Sequence, residues 1–131
     1  MLTITGIDHV VLRVKDIEAS LAFWRDVLGC PVVKHNEPLG LYHLKAGDSL
    51  IDLITLDGKI GAAGGAGPAV EGRNLDHICL RLENYDPDAA MAHLDAHGIS
   101  YDPPESRFGA GGEAPTIYLR DPDGNGVELR G

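Results

Sequence analysis

Leu75-Asp76-His77-Ile78-Cys79-Leu80-Arg81-Leu82 restates Ile7-Asp8-His9-Val10-Val11-Leu12-Arg13-Val14. Four of the eight positions are identical, and the other four exchange one apolar residue for another. His77 follows His9 by 68 residues, about half the chain. A period that long is no solenoid repeat; it indicates one supersecondary unit used twice within one domain. Each copy sets a histidine at the same place on the same kind of strand. Two such strands side by side aim two imidazoles at one point.

Working outward from the first copy, Ile4 to Val14 is read as a strand. Its period of two puts Ile7, His9, Val11 and Arg13 on one face and Val10, Leu12 and Val14 on the other. The second face is uniformly apolar and belongs under a helix; the first is the pocket face. Asp16 suits an N-cap. Ile17, Leu21, Trp24 and Leu28 follow at helical spacing, and Gly29 and Pro31 stop the helix. The helix is therefore expected from Ile17 to Leu28. Short strands are expected at Pro31 to Lys34, Leu39 to Leu44 and Leu50 to Leu56, separated by turn residues. Asp52 interrupts the apolar run of the last strand, and a carboxylate there needs a partner because unpaired burial is costly.

The second copy repeats this order. Its strand runs from Leu75 to Leu82, Asp86 caps a helix with Pro87 at its first position, and the helix closes at His97 and Gly98. Strands follow at Ile99 to Asp102, Thr116 to Arg120 and Gly126 to Arg130, with Arg107 to Glu113 read as a glycine-rich loop. Asp121-Pro122-Asp123-Gly124-Asn125-Gly126 is a strong turn signal. It delivers Glu128, which again interrupts apolar neighbours. Residues 58–72, centred on Gly61-Ala62-Ala63-Gly64-Gly65-Ala66-Gly67, are expected to be a flexible connector, with a lid as the alternative. The fold class is thus α+β: one domain over 1–131, with module one at 4–57, a linker at 58–72 and module two at 73–131.

Composition narrows the function. A length of 131 residues permits one real core. A net charge of −9 without a Lys/Arg cluster argues against nucleic acid. No apolar run is long enough for a membrane span, and two cysteines build no disulfide framework. A small-molecule partner and a reducing cytoplasm are the expectation.

Two imidazoles and one or two carboxylates make a metal site. The candidate ligands are His9, His77, Glu128 and Asp52. That donor set suits divalent Fe, Mn, Ni, Co or Zn and leaves positions for substrate or water. Tyr118, His43 and Arg107 are candidates for lining the pocket.

These blocks resemble the vicinal oxygen chelate superfamily, which includes glyoxalase I, fosfomycin-resistance and bleomycin-resistance proteins, methylmalonyl-CoA epimerase and extradiol dioxygenases. The carriers are residues 7–14, Leu21-Ala22-Phe23-Trp24 through Leu28-Gly29, Asp76-His77-Ile78, and Asp121 through Leu129. The resemblance implies paired βαβββ modules forming an open mixed β-barrel with helices outside, and a homodimer. It places ligands on His9, His77 and Glu128. The fourth ligand position falls on Asp52, one methylene shorter than the usual Glu or Gln, which frees it to act as a base. Arg13 matches the arginine that contacts glutathione in glyoxalase I, whereas Leu56 stands where a companion asparagine is usual. The implied activity is a metal-dependent, glyoxalase-like lyase or isomerase acting on a small oxygen-chelating metabolite, with Glu128 or Asp52 moving the proton. The alternatives are an Fe(II) ring-cleaving dioxygenase and a non-enzymatic drug- or metabolite-binding resistance protein.

Overall fold

The computed structural model describes residues 1–131. The chain folds as two compact units, Met1–Pro68 and Ala69–Gly131, and each is a βαβββ module.

In module one, β1 (His9–Val14) leads into α1 (Ile17–Leu21), then β2 (Val32–Asn36), β3 (Leu41–Ala46) and β4 (Ser49–Thr55). The strands form one mixed sheet in the order β1-β4-β3-β2, with β1 parallel to β4. The Asp16 carboxylate accepts from the Glu18 and Ala19 amides, as the expected N-cap. Beyond Leu21 the helix does not stay α. Ala22–Val27 is a π-turn, with the Leu28 amide reaching back to the Phe23 carbonyl. The wider turn lets the neighbouring rings of Phe23 and Trp24 both face inward. They meet edge to face with centroids 5.2 Å apart. A regular α-helix separates adjacent side chains by about 100°, so it buries one of such a pair more readily than both.

The first strand is shorter than the sequence pattern indicates, starting at His9 rather than Ile4. The physical reason is its one neighbour. β1 pairs only with β4, His9 lies opposite Leu50, and β4 begins at Ser49. The Asp8 carbonyl still accepts from the Leu50 amide, but residues 4–7 have no ladder to join, and Ile4 and Ile7 are exposed. The apolar face is as expected: Leu12 and Val14 are buried, while His9 and Val11 are exposed.

In module two, β5 (His77–Arg81), α2 (Pro87–Ala96), β6 (Tyr101–Gly109), β7 (Gly112–Arg120) and β8 (Gly126–Arg130) give the order β5-β8-β7-β6. This is the same order as in module one, with β5 parallel to β8. Asp86 caps α2, and Gly98 follows it at a φ of 67°. The segment 107–113 is a hairpin end rather than a glycine-rich loop: β6 and β7 continue to Gly109 and Gly112, leaving Ala110-Gly111 as the connection. Buried Arg130 holds this end, donating through Nη1 to the Arg107 carbonyl and through Nη2 to that of Gly112. Pro103 and Pro104 fall in a register shift between Asp102 and Glu105, where the ladder does not need their missing amides.

The expected flexible connector is also built, at least up to Ala66. Gly61–Gly64 forms a 3-10 turn. A Cβ on Gly61 would run into the Thr55 carbonyl, so the turn packs onto the end of β4 only with glycine there.

Candidate functional site

Register shows how deep the duplication goes. His9 lies opposite Leu50 and Val11 opposite Asp52. His77 lies opposite Gly126 and Cys79 opposite Glu128. In each module the carboxylate therefore sits two residues beyond the histidine's partner on the parallel strand. The different sequence spacings, 43 residues from His9 to Asp52 and 51 from His77 to Glu128, are absorbed mostly by the longer β6–β7 hairpin and by the longer turn before β8.

In module two, Asp76 accepts from His77 Nδ1 at 2.7 Å. That fixes the tautomer and leaves Nε2 as the lone-pair nitrogen. His77 Nε2 stands 3.7 Å from Glu128 Oε2. Glu128 is positioned by the turn before β8. There the Asp121 carboxylate accepts from the amides of Asp123 and Asn125 and from Asn125 Nδ2, at 2.8 to 3.0 Å. The Gly126 amide then donates to the Asp76 carbonyl at 3.0 Å, tying this turn to the residue that orients His77. Glu128 opens into a cavity of about 270 Å³, lined also by Asp102, Glu105, Arg107, Thr116 and Tyr118. Three residues singled out from the sequence, Glu128, Tyr118 and Arg107, thus share one cavity. Arg107 pairs with Glu105 at its rim.

In module one, Asp8 accepts from His9 Nδ1 at 2.6 Å, repeating the Asp76–His77 contact. This bond raises the His9 pKa above its ordinary value against the opposing effect of desolvation, and the charges of Asp52 and Asp8 add to it. Asp52 is only 3% exposed, and its partner is His43, whose Nδ1 lies 2.9 Å from Oδ1. His43 is directly across the β3–β4 ladder from Asp52. Arg13 has a different occupation. Its Nε, Nη1 and Nη2 make five hydrogen bonds to the carbonyls of Gly61, Gly64, Gly65 and Ala66. A guanidinium has five N–H donors, so the turn takes them all.

Sequence reasoning overlooked Asp8 and Asp76. The available signal was an aspartate immediately before the histidine in both copies.

His77 and Glu128 could hold one divalent cation between them. Two donors on one ion, with bonds of roughly 2.1 Å, lie at most about 4.2 Å apart; the 3.7 Å between His77 Nε2 and Glu128 Oε2 is within that reach. A carboxylate on the far imidazole nitrogen is the usual outer support of a metal-bound histidine. No group of three or more His, Cys, Asp or Glu side chains is gathered so as to hold a metal ion.

No helix is long and apolar enough to cross a membrane. The chain is 34% identical over 129 residues to a virulence protein of Salmonella typhimurium, covering 96% of this chain and 83% of that one. The crystal structure of that protein superposes with a TM-score of 0.79, covering 98% of both chains at 29% identity. Mouse mitochondrial methylmalonyl-CoA epimerase is 27% identical over 127 residues, which span 92% of this chain and 68% of the enzyme. A lactoylglutathione lyase from Agrobacterium tumefaciens superposes with a TM-score of 0.71 at 25% identity, over 98% of this chain and 94% of the lyase. The family model for the glyoxalase/bleomycin resistance protein/dioxygenase superfamily matches residues 6–129. With its duplicated module and its repeated Asp-His pairs, the chain belongs to that superfamily.

Proposed function

We propose that this protein is a metal-dependent, glyoxalase-like enzyme of the isomerase or lyase type, working as a homodimer. Its substrate is a small metabolite that presents two neighbouring oxygens. The observation that carries the reading is His77, with Nδ1 taken by Asp76 and Nε2 facing Glu128 at 3.7 Å. Asp8 orients His9 in the same way. Relatives bearing the names epimerase and lactoylglutathione lyase support the reaction type.

In this reading His77 and Glu128 hold the metal for module two and His9 for module one. Nickel, cobalt, manganese, iron and zinc all suit two imidazoles and a carboxylate. When bound, the cation supplies Lewis-acid stabilisation of negative charge on the substrate oxygens. Asp52 is the proton acceptor. It is a methylene too short for an ordinary ligand position, and His43 Nδ1 lies 2.9 Å from its Oδ1. Tyr118 and Arg107 line the cavity that Glu128 enters and contact the substrate. Arg13 has no donor to offer a ligand while the glycine turn is in place.

The test is metal analysis of the purified protein, followed by solvent-deuterium exchange at the α-carbon of a panel of 2-oxo and 2-hydroxy compounds and acyl thioesters. One divalent ion per ligand set and rapid exchange are expected, and both are lost in His77→Ala. Wild-type metal content and exchange in that variant would refute the assignment. Mixing His9→Ala with His77→Ala chains asks whether ligands come from one chain or two, since recovery of activity on mixing requires donors from both copies.

A further inference from the structure

We propose that module two carries an oxyanion-binding subsite between Arg73 and Arg120, which takes a phosphate- or carboxylate-bearing tail of the substrate. The substrate role rests on the function proposed above; the subsite itself does not.

The chain is strongly acidic, with 20 Asp and Glu against 11 Lys and Arg. Two of those few cations nevertheless converge on one cavity of about 490 Å³, together with Asn74, Asp76, Tyr118 and Gly124. Both guanidiniums are anchored to the same turn. Arg73 Nη2 donates to the Asp123 carbonyl at 3.1 Å, and Arg120 Nη1 to the Gly124 carbonyl at 3.2 Å. One anchoring bond orients a five-donor fork without exhausting it. Arg120 also lies over the Tyr118 ring, 5.4 Å from its centroid. At Gly124, which has a φ of 80°, a Cβ would press against Arg73 Nη2. The positive φ favours glycine in the turn, and its lack of a Cβ leaves room for the guanidinium. The one carboxylate lining the cavity, Asp76, is committed to His77 Nδ1. Paired, oriented guanidiniums recognise planar or tetrahedral oxyanions through forked hydrogen bonds.

Tyr118 links this cavity to the reaction site. It lines both the arginine cavity and the one that Glu128 enters. The two differ in charge. Glu128 shares its cavity with Asp102 and Glu105 against the single cation Arg107, so an anionic tail is repelled there and attracted across Tyr118. A substrate with its reacting carbon beside Glu128 and its anion between Arg73 and Arg120 meets both demands.

The experiment titrates metal-free protein with inorganic phosphate and, separately, with acetate, reading the Arg73 and Arg120 Nε–H resonances. Removing the metal keeps phosphate from reporting on a cation instead. Saturable shifts of both resonances are expected, weakened tenfold or more in Arg73→Ala and in Arg120→Ala, with Arg120→Lys in between because it keeps the charge and loses the fork. Tighter phosphate than acetate assigns the tail as phosphoryl, and the reverse assigns it as carboxylate. Absence of saturable binding of either ion would overturn the proposal, as would undiminished binding in Arg120→Lys and Arg73→Gln, variants that retain a long polar side chain should an alanine variant misfold. His77→Ala should lose metal yet bind phosphate normally, and the arginine variants should keep full metal content. Failure of the metal reading and failure of the subsite are thereby separable.

Discussion

His43 Nδ1 lies 2.9 Å from Asp52 Oδ1, directly across the β3–β4 ladder. At the equivalent position of module two, Tyr118 lies across the β7–β8 ladder from Glu128. The repeat therefore extends from histidine and carboxylate to a third position, and there the two modules part. Module one fills it with a titratable partner that holds a buried acid. Module two fills it with a phenol and leaves its carboxylate lining a cavity. One template yields two carboxylates in different surroundings, the arrangement by which paired acids come to take different roles.

Asp52→Asn tests that division of labour. Asparagine keeps the shape and a hydrogen bond to His43 but cannot accept a proton. Metal content should stay at the wild-type level while α-proton exchange falls about 10²- to 10⁴-fold, the range for loss of a general base. A proportional fall in metal content would instead make Asp52 a ligand. His43→Ala leaves a buried carboxylate without its partner and should destabilise the fold by about 1–3 kcal/mol, measured by urea unfolding.

Asp76→Asn and Asp8→Asn probe orientation of the imidazoles. Neither residue is a ligand in the proposed set, yet each fixes which nitrogen of its histidine carries the proton. Each substitution should weaken metal binding by about 10- to 100-fold. His77→Ala should abolish it. Competition with a chromogenic chelator measures the difference. Equal loss in Asp76→Asn and His77→Ala would indicate that Asp76 itself coordinates.

Much of this was legible beforehand, and what was not has identifiable causes. The repeated octapeptide and the period-two faces of β1 are local patterns, so His9 and His77 could be matched without coordinates. The need of Asp52 for a partner was also legible, since it follows from burial alone. The partner's identity was not, because placing His43 opposite Asp52 depends on a ladder register set by the Gly47-Asp48 turn. The hairpin of β6 and β7 was hidden by Pro103 and Pro104, which ordinarily end a strand and here sit in a bulge. The order of the 61–66 segment was hidden because its anchor, Arg13, lies about fifty residues away, beyond any local signal.

Arg13→Met should release that segment. Five hydrogen bonds to four carbonyls are lost, two of them part-buried. A cost of about 1–3 kcal/mol is expected, since each bond is worth little net and several are solvated. Amide exchange and proteolysis should both accelerate within residues 61–66 and leave β5 to β8 unchanged. Gly61→Ala should give the same local signature with a larger loss of stability, because its Cβ meets the Thr55 backbone, which cannot rotate aside. If neither variant alters protection of the segment, the guanidinium is not what orders it.

The two thiols provide a pH test. Burial pushes the Cys30 thiol above its ordinary pKa. Desolvation does the same at Cys79, with the charge and hydrogen bonding of Glu128 adding to it and the Arg130 and Arg81 guanidiniums opposing. A thiol whose pKa is raised on folding holds its proton longer in the native state than in the unfolded one, so stability is full below the ordinary thiol value and declines as pH rises through it. Both thiols should alkylate more slowly than free cysteine near neutral pH, because the thiolate is the nucleophile. Cys79, exposed where Cys30 is buried, should be the faster of the two. Glu128→Gln removes the neighbouring negative charge, so it should speed Cys79 alkylation and leave Cys30 unaffected. Mass-spectrometric labelling of each site across pH 7 to 10 reads this directly, and an unchanged Cys79 rate in that variant would remove Glu128 from the thiol's electrostatic surroundings.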